Sequence, residues 1–271
     1  MTTYTKAETR AMSPKDFRSL VRKGEWTAST EGVCVGYAMA NLVIVPKDEA
    51  IEFLIFCFRN PRPFPLLDVT EPGDPEPKLV APGADLRTDL PKYRVWENGE
   101  CIDEPTDIIK YWRDDLVGFL IGCSISVDPF LKRANLQYRF PAGYLTNIQC
   151  HPVGPFKGPM ICSCRIYKNS YEAIKSVLVT ARFPLAHGTP VHIGDPALIG
   201  VTDIAQSAER ATGADTSKES VKPGEIATFT PAGASGSSIA RDTKLPFMIT
   251  HLPFYMFITD VLLEEQAFVP L

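Results

Sequence analysis

The chain has 271 residues, a formal net charge of −4 with four histidines, and is 45% hydrophobic and 22% charged. That is ordinary globular composition, enough for one compact body or two packed lobes, and it supplies no basic field to hold a phosphate backbone, so nucleic acid is not an expected partner. The apolar runs 116–122 and 254–263 fall well short of a bilayer span, which removes the expectation of a membrane role.

Residues 1–20 are polar and carry Glu8 and Asp16, with no apolar signal core. Seven cysteines lack framework spacing, which predicts reduced thiols and a cytoplasmic setting; Cys162 and Cys164 share one face if their segment is a strand. Ser13-Pro14 ahead of Phe17, Leu20 and Val21 predicts a capped helix. Residues 37–45 read as a strand ended by Pro46. Residues 48–58 read as a helix, with Ala50, Phe53, Leu54 and Cys57 at helical spacing, stopped by the proline-rich run 60–65. Residues 68–85, rich in Pro, Gly and Asp, read as a long surface connection. A strand at 93–96 enters an Asn98-Gly99 turn, and Ile108, Trp112 and Leu116 predict a helix over 107–119. Further strands are predicted at 146–150, 160–167, 191–193, 227–229, 248–250 and 256–261, and a helix at 171–182. Residues 205–224 and 233–238 read as surface loops. The alternation predicts an α/β fold, with a mostly buried mixed sheet covered by helices.

Four constellations could carry chemistry. The first is His187-Gly188-Thr189-Pro190-Val191-His192-Ile193-Gly194-Asp195-Pro196, two imidazoles and a carboxylate stiffened by Gly and Pro. Imidazole suits proton transfer near neutral pH, while metal ligation and a plain polar turn stay open as alternatives. Pro190 between the histidines excludes the helical HExxH geometry. No metal is predicted, although a mixed site with His251 or Asp260 is conceivable. In the second, Arg87 stands among Asp85 and Asp89, where it could clamp a carboxylate or close a structural ion pair. The third, Gly122-Cys123-Ser124-Ile125-Ser126-Val127-Asp128, offers hydroxyl donors and a thiol that is either a nucleophile or buried and inert. In the fourth, Ile249-Thr250-His251 and Ile258-Thr259-Asp260 each end a strand-like run in a polar pair. No Gly-x-Ser-x-Gly elbow and no GxGxxG or GxxxxGK[ST] signature occurs, so neither a serine hydrolase nor a nucleotide cofactor is supported.

Together these runs resemble the D-glutamate cyclase / hydro-lyase family. The resemblance rests on Gly36-Tyr37 with Ala40-Asn41-Leu42, Phe56-Cys57 with Arg59-Asn60-Pro61, Leu86-Arg87-Thr88-Asp89-Leu90-Pro91, and Leu120-Ile121-Gly122-Cys123-Ser124. It continues through Pro141-Ala142-Gly143 to Asn147-Ile148, the 187–196 element, and the two Thr-containing pairs at 250–251 and 259–260. The order is kept across nearly the whole chain. The resemblance implies an α/β fold with a smaller α+β lobe, here placed at 111–184 as an insertion between core segments 1–110 and 185–271. It also implies a dehydrating lyase, by name the cyclisation of D-glutamate to 5-oxo-D-proline.

Under that resemblance His187 and His192 are expected to transfer protons, with Asp195 or Asp260 orienting one ring and His251 completing the site. Arg87, with Asp89 beside it, is the expected carboxylate anchor; Asn41, Cys123, Ser124, Ser126 and Asn147 are expected substrate contacts. No cofactor is predicted, a divalent metal being left open, and the partners expected are a small-molecule substrate and, as an open option, further copies of the chain.

The sequence departs from the family pattern at Met39, Phe58, Phe64 and Asp128, through 229–237, and at Phe254 in place of a glycine. Several of these swaps exchange polar for apolar groups, which favours a less polar or larger substrate if the positions line the pocket, and so a specialised, secondary-metabolic role; repacked core is the alternative. Other readings are a binding protein without turnover and a metal-assisted hydrolase.

Overall fold

The computed structural model describes residues 4–206 and 219–267. It opens with two helices, α1 (Lys6–Thr9) and α2 (Pro14–Arg22). Ser13 caps α2 as predicted, its hydroxyl accepting the Asp16 N–H, and Phe17, Leu20 and Val21 are buried.

The run Tyr37–Pro46 forms β1, the centre of a seven-stranded sheet. On one side β1 pairs with β5 (Leu116–Gly122), which carries β2 (Leu66–Val69) beyond it. On the other side it pairs with β11 (Met248–His251) and β12 (Phe257–Leu262). Outside β11 lie β3 (Tyr93–Glu97) and β4 (Glu100–Asp103), joined by the predicted Asn98-Gly99 turn. β1 is apolar almost throughout because both its faces are covered. Val43 and Val45 join the core shared with the second sheet, while Ala40, Leu42 and Ile44 meet Val80, Ala81, Leu86 and Leu90 on the other face. Strand parity therefore puts Asn41 on the same side as Val43, between the sheets.

The second sheet runs β6 (Tyr138–Arg139), β8 (Pro159–Tyr167), β10 (Ile226–Pro231), β9 (His192–Ile193), with β7 (Gly143–Gln149) also paired to β8. Cys162 and Cys164 share its core face, as expected of a strand. The remaining helices are α3 (Lys47–Arg59), α4 (Asp128–Arg133), α5 (Ser170–Thr180) and α6 (Ser235–Thr243). From α3, Phe53 packs edge-on to Phe119 at 4.8 Å and against Phe156 at 5.0 Å, tying the helix to the sheets; each such ring contributes roughly 2–3 kcal/mol.

The chain is thus of mixed α/β class, and every strand pairing among the described residues is antiparallel. Residues 107–119 are not a helix. Only the 3-10 turn Ile109–Tyr111 forms, a turn from Arg113 leads into β5, and the fully buried β5 has no polar face for a helix to show. Residues 233–238 are not a surface loop either: Ser235, Gly236, Ser237 and Ser238 are the buried first turns of α6. Small residues bring α6 close to β1, where a Cβ on Gly236 would stand 3.0 Å from Val43 Cγ2. The 68–85 connection is pinned by the Asp68 carboxylate, which accepts the Val69, Leu79 and Val80 N–H groups. Of the predicted loop 205–224, residues 207–218 lie outside the described residues.

β5 pairs along its length with β1, so residues 116–122 group with the first sheet. We propose that an inserted lobe corresponds to the second sheet, drawn from 138–231. Among the described residues no helix is long and apolar enough to cross a membrane.

Candidate functional site

The end of β5, the middle of β1, the end of β11 and the start of α6 meet in a cleft. Asn41 Nδ2 donates to the Gly122 carbonyl at 2.5 Å, holding the amide at the point where β5 turns into Cys123-Ser124. Gly233 lies against that amide: an added Cβ would stand 2.0 Å from Asn41 Nδ2, so only glycine leaves room. Ser124 Oγ and Ser163 Oγ share a hydrogen bond of 2.9 Å, joining the two sheets through buried hydroxyls.

His251 completes the polar set. Its Nδ1 is 3.3 Å from the Leu42 nitrogen and 3.4 Å from the Leu42 oxygen. Burial, with a smaller push from Arg94, lowers its pKa to about 4, so the ring is neutral at neutral pH. Nε2 has no hydrogen-bond partner among the described residues, and the ring lines the cleft. If Nδ1 accepts from Leu42 N–H, Nε2 carries the proton and can give it; if Nδ1 donates to the Leu42 carbonyl, Nε2 can take one.

Apolar side chains close the cleft, among them Ile125, Phe140, Phe254 and Met256. Its volume is about 30 Å³, the space of a single water. Phe254 holds a left-handed backbone (φ +73°), a strained choice for a bulky residue, and its ring meets Phe140 edge-on at 6.4 Å. Burial pushes the Cys123 thiol up to about 12, which leaves it protonated and a poor nucleophile. Among the described residues no charged side chain lines the cleft. Arg165 lies behind it, its Nη2 donating to the Ser124 carbonyl at 2.8 Å and to Asp128 at 2.7 Å.

Of the residues singled out by sequence, Asn41, Cys123, Ser124 and His251 come together here. His187 is placed beside them and not among them. It has a left-handed backbone (φ 70°), is fully buried, and its Nδ1 donates to the Arg62 carbonyl at 2.7 Å. Its Nε2 faces the Gly122 carbonyl without a hydrogen bond of ordinary geometry, and burial lowers its pKa to about 4. The 184–187 turn presses on Gly122, where a Cβ would stand 1.6 Å from the Leu185 oxygen.

The rest are engaged elsewhere. His192 is half-buried, donates from Nε2 to the Asp195 carbonyl at 2.7 Å and lies tilted against the Phe229 ring at 5.9 Å. The exposed Asp195 carboxylate caps the 3-10 turn Pro196–Ile199 through the Ala197 N–H. Asp260 takes two hydrogen bonds from Arg18, at 2.9 and 3.0 Å, and the fully buried Asp89 takes two from Arg22. Arg87 is paired with Asp85 on a part-exposed loop, so the expected carboxylate anchor does not line the cleft. Ser126 accepts the Met39 N–H at 2.9 Å, and Asn147 is exposed next to Gly200. No cluster of three or more His, Cys, Asp or Glu is placed to hold a metal ion among the described residues.

Sequence reasoning missed Ser163, Arg165 and the Gly233–Ala234 backbone. A lone hydroxyl between Cys162 and Cys164 was the available signal for Ser163; nothing local marked the others. Among the positions that depart from the family pattern, residues 232–234 and Phe254 line the cleft. Met39 and Phe64 are buried outside it, Phe58 is exposed on α3, and Asp128 pairs with Arg165.

The D-glutamate cyclase family model matches residues 117–260, more than half of the chain. Curated relatives named "Putative hydro-lyase" are similar over nearly their whole lengths. One from Geobacillus kaustophilus is 47% identical over 94% of this chain and 96% of its own. Those of Bacillus licheniformis and Bacillus subtilis are 45% and 43% identical, over 94% of this chain and 97% and 99% of theirs. Among solved structures, a nitrogen repressor-like protein of Methanococcus jannaschii aligns over 87% of this chain and 91% of its own, with a TM-score of 0.37 and 10% identity. The matched region contains Gly122, Cys123, Ser124, Ser163, Gly233 and His251, and on these similarities the chain belongs to the D-glutamate cyclase family.

Proposed function

We propose that this chain is a carbon–oxygen hydro-lyase or cyclising dehydratase whose reaction takes place in the Asn41–Ser124–His251 cleft. The observation that carries the reading is a neutral, buried imidazole, its Nε2 without a hydrogen-bond partner among the described residues, lining one cleft with the Asn41 amide and the paired Ser124 and Ser163 hydroxyls. Family membership and the relatives' names support the reaction class.

In cyclisation of a glutamate-like acid, the neutral amine attacks the side-chain carboxyl carbon and a C–N bond forms. An electron pair moves onto oxygen, the nitrogen loses its proton, and the C–OH oxygen leaves as water once protonated. His251 Nε2 takes the first proton and returns it to the departing oxygen. The Ser124 and Ser163 hydroxyls and the backbone at the start of α6 stabilise the oxyanion, and the Asn41 amide orients the acid. Because attack is intramolecular, fixing one rotamer supplies much of the acceleration.

An uncharged lining suits a substrate less polar than D-glutamate, and Phe254 with Phe140 must be displaced for it to enter. A specialised metabolic role in the cytoplasm fits that chemistry. The same uncharged lining favours, as second reading, a family member that binds without turnover.

The test is incubation of the protein with D-glutamate and with less polar amino acids, read by mass spectrometry for loss of water. Dehydration of the less polar acids is expected. Full-rate turnover of D-glutamate would remove the case for an altered substrate, and no dehydration of any acid would favour the binding reading.

A further inference from the structure

A second and much larger cavity, about 920 Å³, opens between α3, the run that follows it and the 184–189 turn, in the size range of small-molecule sites. Its walls are apolar, built from Leu54 and Phe58 of α3, Phe64 after it, and Leu185 opposite. Among the described residues Arg62 is the one cation in the lining, and no carboxylate lines it. The guanidinium is half-buried and, among the described residues, donates only to Thr189, from Nη1 to Oγ1 at 3.2 Å and from Nη2 to the carbonyl, while its Nε–H meets no acceptor there. No ion pair of Arg62 exists among the described residues, and burial lowers its pKa for want of a compensating carboxylate. A desolvated cation with spare donors beside a long apolar trough is complementary to a molecule with one anionic head and one apolar tail.

We infer that this groove binds an aliphatic monocarboxylate, its chain along Leu54, Phe58, Phe64 and Leu185 and its carboxylate on the Arg62 guanidinium. The site is separate from the cleft, and its occupant is not the reacting acid. The carboxylate replaces the missing counter-ion, while the chain covers apolar groups that now face solvent, Phe58 at 84% exposure above all.

Isothermal titration of the full chain with decanoate, and with decanol as the neutral comparator, tests this. Decanoate is expected to bind at least about tenfold more tightly than decanol, and Arg62→Gln to remove that difference. Because Arg62 also braces Thr189, Phe58→Asp supplies an independent check: an exposed position, it is expected to keep the melting temperature and to lose decanoate binding. Failure of the wild-type chain to bind decanoate, or binding indifferent to both substitutions, overturns the inference. A dimer broken by Phe58→Asp in a chain that ignores decanoate also overturns it and assigns the face to a second copy. Dehydratase activity is expected to survive Phe58→Asp, which keeps this test separate from that of the cleft.

Discussion

Asn41 and Gly233 meet so closely that a single added carbon at 233 would lie 2.0 Å from the Asn41 amide nitrogen. The contact joins the central strand of the first sheet to the start of α6, and it holds the amide on the Gly122 carbonyl. Gly233→Ala must push that amide away. Overpacking of this kind costs about 1–3 kcal/mol, so chemical denaturation is expected to show a loss of that order with a larger loss of turnover. Combining Gly233→Ala with Asn41→Gly is expected to recover stability and leave turnover low.

His187 and His251 are buried and neutral, each with its pKa lowered from 6.5 to about 4, mainly by burial. Between those values the unfolded chain binds more protons than the folded one. Stability is therefore complete above about pH 6.5, declines as pH falls, and loses on the order of 3 kcal/mol per ring by about pH 4. Urea denaturation across that range checks this. Replacing either ring with Gln should flatten part of the slope, and a stability that did not change over the window would contradict the buried neutral rings.

Asp89 is held by Arg22 and approached by Arg18, which also pairs with Asp260. These carboxylates fasten α2 to the sheet and its covering loop. The Asp89 side chain is fully buried, but Arg22 is half exposed and Arg18 keeps Asp260, so Asp89→Asn loses charge-assisted hydrogen bonds without burying a bare cation and is expected to cost about 1.5–3 kcal/mol. The Asp260 side chain is 35% exposed, so Asp260→Asn should cost less. In both variants, protein that remains folded should keep the wild-type kcat, which a proton-transfer role for Asp260 does not allow.

Phe254 carries a positive φ at a position where its ring closes the cleft. Phe254→Gly relieves the torsion and opens the space, so it is expected to raise turnover of D-glutamate relative to less polar acids. Steady-state kinetics with both substrate types measures the shift in kcat/KM.

Several of these features are legible in the sequence. The Ser13 cap, the run of β1 and the helix α3 with buried Phe53 and Cys57 follow from local rules and are found in place, although Leu54 of the expected stripe is exposed and Phe56 is buried instead. Asn41, Cys123, Ser124 and His251 could be named as polar residues within strand-like motifs, but their convergence depends on strand pairings with separations such as that between Leu42 and His251. The helical reading of 107–119 fails because a strand buried on both faces has no polar side, and chance spacing then imitates a helix. The 233–238 run is small because α6 packs closely on β1, and smallness without context reads as a loop. The 187–196 element has the composition of a proton-transfer site, yet His192 and Asp195 satisfy each other and their own turns at the surface.

The most direct test is a comparison of kcat for His251→Ala and His192→Ala on the acid that wild-type protein dehydrates, with circular dichroism verifying the fold of each. Loss of about 10²–10⁴ in kcat is expected for His251→Ala, and a rate near wild type for His192→Ala. A folded His251→Ala protein with undiminished turnover, or a His192→Ala protein without any, would place the chemistry outside the cleft.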